Sequence, residues 1–142
     1  MSDTAIKKPV PRPSPESTHY WQAAREHRLE LPRCNACGQH WFPPSQSCPH
    51  CLAADFTWTP VSGLGKVFSF VTYHRVYHPA FAQEVPYIVA LVELAEGPRL
   101  LTNIVGAPPE AVACDIPVKV VFDDFEDGVS VPKFSPLNAY AK

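Results

Sequence analysis

Apolar and polar positions divide the chain into three regimes. The first 16 residues, MSDTAIKKPVPRPSPE, carry prolines at 9, 11, 13 and 15 and almost no large apolar side chain. Such a segment cannot bury enough surface to offset its ordering entropy, so residues 1–16 are expected to form a flexible, extended tail. From Ser17 the pattern changes. Tyr20, Ala24, His27 and Leu31 recur at spacings of three and four, with Trp21 beside them. That spacing predicts an amphipathic helix of about 12 residues that ends before Pro32. A hydroxyl residue at its start is a natural N-cap. Three turns are marginal alone, so Tyr20 and Trp21 must dock on the rest of the chain or on another subunit. Residues 17–32 are therefore read as a docking helix.

Beyond about residue 63 the pattern becomes that of strands. Lys66–Arg75, Tyr87–Leu94, Arg99–Val105, Val118–Phe125 and Val129–Phe134 are all rich in β-branched or aromatic residues. Glu96-Gly97 and Asp127-Gly128 punctuate two of the gaps as hairpin turns. Between the third and fourth candidates, APPEAVACD opens on a proline pair suited to one short helical turn. Five strands with a helix after the third is the order of an OB-fold barrel, with an open five-stranded sandwich fragment as the alternative. The expected architecture is mainly β. It has an N-terminal helix, a cysteine-rich ribbon over residues 33–60, a five-stranded OB-fold domain over 61–136, and a short tail over 137–142.

Composition narrows the function classes. The chain is 46% hydrophobic and 18% charged, with 17 prolines against six glycines, which fits short strands and rigid turns rather than a helical bundle. No window is long and apolar enough for a bilayer span, and no apolar leader follows the N-terminus, so a cytoplasmic, soluble protein is expected. The net charge is −2. Residues 61–142 hold six Lys/Arg and nine Asp/Glu, so the expected barrel is net −3. An OB domain that tracks a phosphate backbone lines its groove with basic residues. Binding of single-stranded nucleic acid is thus the rival reading, and the acidic barrel opposes it.

Cys34-Asn-Ala-Cys37 and Cys48-Pro-His-Cys51 are two C-x2-C knuckles separated by ten residues. Each short turn aims two thiolates at one point, and two such turns close a tetrahedron around a metal. Disulfides are the competing account, which a reducing cytosol opposes. Four thiolates leave no open coordination position, so the site is structural; zinc is the expected occupant and iron the alternative. His40 and His50 stand nearby but are not needed as ligands. Cys114, flanked by Ala113 and Asp115, is read as a small buried hydrophobe. His74 and His78, with Tyr73 and Tyr77, are the candidate acid/base groups, yet no residue completes a dyad or triad with them. They are read as organising a loop or a subunit contact, and no catalytic residue is assigned. The run from Asp123 to Asp127 is read as a solvated turn with hairpin-edge charges, with a divalent-ion site as the alternative that the missing metal-loop glycine pattern opposes.

Taken in order, several motifs resemble a known family over roughly residues 18–136. They are Tyr20-Trp21, Arg33-Cys34-x2-Cys37-Gly38, Phe42-Pro43-Pro44, Cys48-Pro49-x-Cys51 and Trp58. They continue with Ser62-Gly63-x-Gly65-x-Val67-x-Ser69-Phe70, Pro79, Phe81, Val85-Pro86-Tyr87, Asn103, Gly106 and Pro132-x-Phe134. The family joins a rubredoxin-like zinc ribbon to an OB fold and is described as acyl-CoA-associated. One departure is Leu52, where a glycine often follows the second knuckle. The resemblance implies a non-catalytic, zinc-binding accessory subunit of a hetero-oligomer. Its partner would be a thiolase-superfamily enzyme, an acyltransferase or aldolase, that makes or breaks carbon–carbon bonds in CoA thioesters. A CoA thioester is then a possible shared ligand. Cations for its phosphates would be Arg33, Lys66, Arg75 and Lys133, with Trp41, Phe42, Tyr77 and Phe81 available for stacking.

Overall fold

The computed structural model describes residues 9–125 and 128–137. The start of the expected tail (1–8), the turn residues Glu126 and Asp127, and residues 138–142 lie outside them. The one α-helix among the described residues, α1 (Thr18–Arg25), is eight residues long and buries Tyr20, Ala23 and Ala24. It stops well short of the expected end before Pro32. His27 adopts a left-handed φ of 61°. The N–H groups of His27 and Arg28 then return to the carbonyls of Ala24 and Ala23, a Schellman-type closure without its usual glycine. Tertiary contacts hold His27 there. Its ring stacks on Phe122 at 5.0 Å and its Nε2 lies 2.8 Å from Asp124 Oδ1. Ser17 occupies the N-cap position, but its hydroxyl makes no cap bond and instead accepts from the Ser14 N–H.

The residues expected as the last helical turn form a strand. β1 (Glu30–Cys34) pairs antiparallel with β2 (Phe56–Pro60), placing Cys34 opposite Phe56 at the mouth of the ribbon. Five further strands follow: β3 (Leu64–Tyr73), β4 (Tyr87–Leu94), β5 (Arg99–Ile104), β6 (Pro117–Asp124) and β7 (Ser130–Pro136). They form a closed barrel in the order β3-β4-β5-β7-β6, sealed by the β3–β6 pairing and a parallel contact of Ile104 with Phe134. This is the OB-fold arrangement. A single 3-10 turn, Pro109–Ala111, bridges β5 and β6. The alternating strand pattern puts Val67, Ile88, Ala90, Val92, Leu100, Val118 and Phe134 inside, all essentially without solvent contact.

Tyr20, Leu29 and Leu31 belong to the same buried cluster as the barrel interior, so α1 and β1 are packed onto the barrel. The apolar face of α1 is spent inside the chain, with Tyr20 also against Phe42 at 5.3 Å. Arg25 Nε donates to the Gly128 carbonyl at 2.9 Å, which fastens the helix end to the β6–β7 turn. A second polar anchor is Glu30, which is buried. It pairs with His19 Nε2 at 2.6 Å and with Arg28 Nε at 3.0 Å, while the His19 ring stacks on Trp58 at 4.5 Å.

Burial pushes the Glu30 carboxyl up, but the His19 and Arg28 hydrogen bonds outweigh it and hold its pKa below the ordinary value. A depressed carboxylate pKa contributes stability above the unfolded value of about 4.3 and loses it as pH falls through the folded one. Acidification below about pH 4 should therefore free His19 from Trp58, read as a change in tryptophan fluorescence. In Glu30→Gln that component of the acid transition should be absent. Identical acid profiles for the two proteins would show that Glu30 does not anchor the helix.

Candidate metal centre

The knuckles sit at the open end of the β1–β2 hairpin. Cys34 ends β1, and Cys34 and Cys48 are buried while Cys37 and Cys51 are exposed. The four Sγ atoms all lie within 4.8 Å of one another, with Cys34–Cys51 at 3.5 Å and Cys37–Cys48 at 3.7 Å. A tetrahedral Zn–S4 site with bonds of about 2.3 Å has sulfurs about 3.8 Å apart. A disulfide needs about 2.05 Å, and all five cysteines are free. The donor set and its spacing fit a closed tetrahedral metal site.

Backbone N–H groups prepare the sulfurs for negative charge. The Ala36 and Cys37 N–H groups donate to Cys34 Sγ at 3.3 Å, and the His50 N–H donates to Cys48 Sγ at 3.3 Å. The Cys37 N–H, with help from Ala36, pulls the Cys34 thiol down to about 6 against its burial. At Cys51 the Ala53 N–H works in the same direction, but Cys34 beside it and burial prevail and push the thiol up to about 12. Four thiolates this close would need a cation between them, and the four sulfurs are placed to hold one.

The two knuckles are built alike. Gly38 N–H returns to the Cys34 carbonyl at 2.9 Å, and Leu52 N–H returns to the Cys48 carbonyl at 2.8 Å. Both residues are left-handed, with φ of 82° and 68°. Glycine adopts that conformation freely, whereas leucine strains by about 1–2 kcal/mol. Leu52 is also 78% exposed, so no burial offsets the strain.

Matches to known proteins agree with this architecture. Residues 21–57 match the family model described as ChsH2, rubredoxin-like zinc ribbon domain, and residues 58–123 match ChsH2, C-terminal OB-fold domain. A solved structure described as "Ltp2-ChsH2(DUF35) aldolase" superposes with a TM-score of 0.81 at 38% identity, covering 89% of this chain and 98% of that one. The chain belongs to the ChsH2 family. It is also similar to a "Probable enoyl-CoA hydratase alpha subunit" of Thermomonospora curvata, 38% identical over 91% of this chain but only 40% of that protein. A "Benzoylsuccinyl-CoA thiolase subunit BbsA" of Thauera aromatica is 32% identical, over 68% of this chain and 67% of that subunit. The chain thus spans less than half of the Thermomonospora relative, and the ChsH2-type ribbon and barrel are what the two share.

The remaining candidates of this ChsH2-family chain do not converge. Arg33 Nε donates to the Gly38 carbonyl at 3.1 Å within the ribbon. Lys66 stands 3.9 Å from Asp115 near the start of β3, while Arg75 lies just past its end. At about 3.3 Å per residue the two are more than about 20 Å apart. Lys133 Nζ is held by Asp123 at 2.6 Å, an ion pair across the β6–β7 hairpin. Asp124 likewise binds His27 and accepts from Ser130 Oγ. Only Arg75 keeps suitable company. It lies 5.4 Å over the Tyr77 ring, in an open groove of about 430 Å³ lined also by Val71, Thr72, Tyr73 and His74. Of the other rings offered for stacking, Trp41 is buried with its Nε1 bonded to Ser45 Oγ, and Phe42 packs on Tyr20.

His78 organises its loop as expected: its Nδ1 accepts from the Ala80 N–H and so caps the 3-10 turn Pro79–Phe81. His40 bridges back to Arg33, and burial lowers its pKa. Cys114 is exposed, contrary to expectation, because it lies in the loop between the 3-10 turn and β6 rather than on an inward strand position. No motif in the sequence marks the His19–Glu30–Trp58 and His27–Asp124–Phe122 clusters, since each joins residues from separate elements.

Purified protein should carry one zinc per chain by elemental analysis, with apparent binding free energy in the range of about 10–16 kcal/mol seen for zinc-finger peptides. Cys48→Ser should lose it. Absence of both zinc and iron would contradict the assignment. Leu52→Gly should raise ribbon stability by about 1 kcal/mol in denaturant unfolding without changing metal content; no gain would mean that Leu52 is not strained.

Proposed function

We propose that this chain is a non-catalytic accessory subunit of a complex that acts on acyl-CoA thioesters. A thiolase-superfamily partner carries the carbon–carbon bond chemistry, and this chain supports assembly and substrate binding. The observation that carries the reading is the 38% identity to a chain of the structure described as "Ltp2-ChsH2(DUF35) aldolase", over 98% of that chain. Similarity to a thiolase subunit supports the same partner class. Zinc holds the ribbon through Cys34, Cys37, Cys48 and Cys51 and takes no part in the reaction. With no membrane-crossing helix among the described residues, a cytoplasmic hetero-oligomer fits.

Among the four cations first considered for CoA, the surroundings favour Arg75. An exposed guanidinium beside Tyr73 and Tyr77 offers one charge for a phosphate and flat rings for adenine. The groove is open, and one cation does not make a CoA pocket. The partner must supply the rest, which makes this a shared site. The rival nucleic-acid reading has little support: one of the barrel's few lysines is committed to Asp123, and residues 61–142 are net −3.

Calorimetry on the isolated chain, the partner and their complex tests the reading. CoA should bind the isolated chain weakly and the complex much more tightly. Arg75→Ala should raise the complex's KM for its acyl-CoA several-fold while zinc content stays at one. Equal CoA affinity for the partner with and without this chain would eliminate the shared site, and tight, salt-sensitive binding of single-stranded DNA or RNA would replace the reading with its rival.

A further inference from the structure

A second cavity, of about 300 Å³, opens where the approach to the helix, the ribbon loop and β2 meet. Pro15, Glu16, His19, Gln46, Phe56 and Trp58 line it, and it shares no residue with the groove at Arg75. Small-molecule sites span roughly 300–1,000 Å³, so this one suits a small ligand or a single headgroup rather than a large cofactor.

Its walls are aromatic and held in place. Phe56 and Trp58 stand two residues apart on β2, so both project to the same side of the strand. Their ring centroids are 6.3 Å apart with the planes at 69°, which makes a corner of two π surfaces. Phe56 packs against the buried Trp41 at 5.3 Å, and His19 stacks on Trp58 at 4.5 Å. Pairing of β2 with β1 fixes the strand beneath them. The corner is therefore preformed, and a ligand entering it orders nothing.

Charge selects the ligand class. No Lys or Arg lines the cavity among the described residues. Ser45, which also lines it, is committed: its Oγ accepts from Trp41 Nε1 and donates to the Ser47 carbonyl. Glu16 is the carboxylate at the cavity, with Oε2 accepting from Gln46 Nε2 at 3.3 Å and no ion pair among the described residues. Behind His19, Glu30 binds both His19 and Arg28, and Arg28 also pairs with Glu26. Two carboxylates and one guanidinium leave that group negative with a neutral imidazole and balanced with a protonated one. Glu16 then makes the surroundings of the cavity negative in either case. Aromatic faces carry negative π charge as well. Anions are thus repelled, and a neutral apolar ligand gains nothing from Glu16. A cation with an apolar body uses both the rings and the carboxylate.

We infer that the cavity between Glu16 and the Phe56–Trp58 corner binds an alkylammonium group. Its methyl or methylene groups lie against the rings, and its charge faces the Glu16 carboxylate. A free quaternary amine and a lysine side chain of another protein carry the same chemistry. The site stands independently of the CoA reading, since it uses none of the residues invoked there.

The test is a titration of the full-length, zinc-loaded chain followed through its indole N–H signals. The probes are choline, its neutral isostere 3,3-dimethylbutan-1-ol, and N-acetyl-lysine methylamide. Choline should shift the Trp58 signal saturably and leave that of Trp21, which does not line the cavity, in place. It should bind at least about tenfold more tightly than the alcohol, which has the same shape without the charge. Glu16→Gln keeps the side-chain shape and an acceptor for Gln46; it should remove most of that difference while zinc content and melting temperature stay unchanged. Tighter binding of choline would assign the site to a free amine, and tighter binding of the lysine derivative to a protein side chain; both support the cation site. Equal affinity for choline and the alcohol would reduce the cavity to an apolar cleft and overturn the inference. So would the absence of saturable binding by either ammonium probe, or a Glu16→Gln chain that binds choline as the unaltered one does.

Discussion

Four sulfurs converging within 4.8 Å set the terms for everything N-terminal to the barrel. The ribbon's own buried cluster is Cys34, Trp41 and Cys48, with Ala53 and Phe56 packed against it. So few side chains cannot form a core, and a segment of this size needs a staple. Metal coordination stands in for that core. The constraint then propagates. Cys34 closes the site at the end of β1, and Leu31, three residues earlier on the same strand, is fully buried with Tyr20 and the barrel interior. Fixing the cysteines therefore fixes β1, and β1 fixes how the ribbon and helix sit on the barrel.

Polar contacts refine that placement. Glu30 ties the helix to the ribbon through His19 and Arg28. His27 and Arg25 tie its end to β6 and the β6–β7 turn. The apolar face of the helix is consumed by these contacts.

Much of this was legible because it depends on local pattern. Richness in β-branched and aromatic residues placed the barrel strands within about two residues of the observed bounds, and the knuckle spacing named the four sulfurs that lie together. The helix was overestimated, since its stop is a histidine in a left-handed conformation stabilised by Phe122 and Asp124 about 95 residues away. β1 was hidden for a related reason: Leu31 fits the helical spacing, and the strand character of Glu30–Cys34 comes from pairing with β2. Charge lists also misled. Lys133 looked available for a phosphate until its register set it beside Asp123. Cys114 looked buried by composition but falls on an exposed loop. The continuous apolar run of β4 was present in the sequence; only the topology shows which half of it faces out.

The central physical claim is that metal holds the ribbon while the barrel stands on its own packing. Amide spectra of isotope-labelled protein, recorded before and after a strong chelator, test it directly. The account predicts that signals from residues 30–60 collapse toward unfolded positions, including both tryptophans at 41 and 58, while signals from β3–β7 persist. Dispersion retained throughout the ribbon after complete metal removal would contradict it, as would simultaneous loss of the barrel signals.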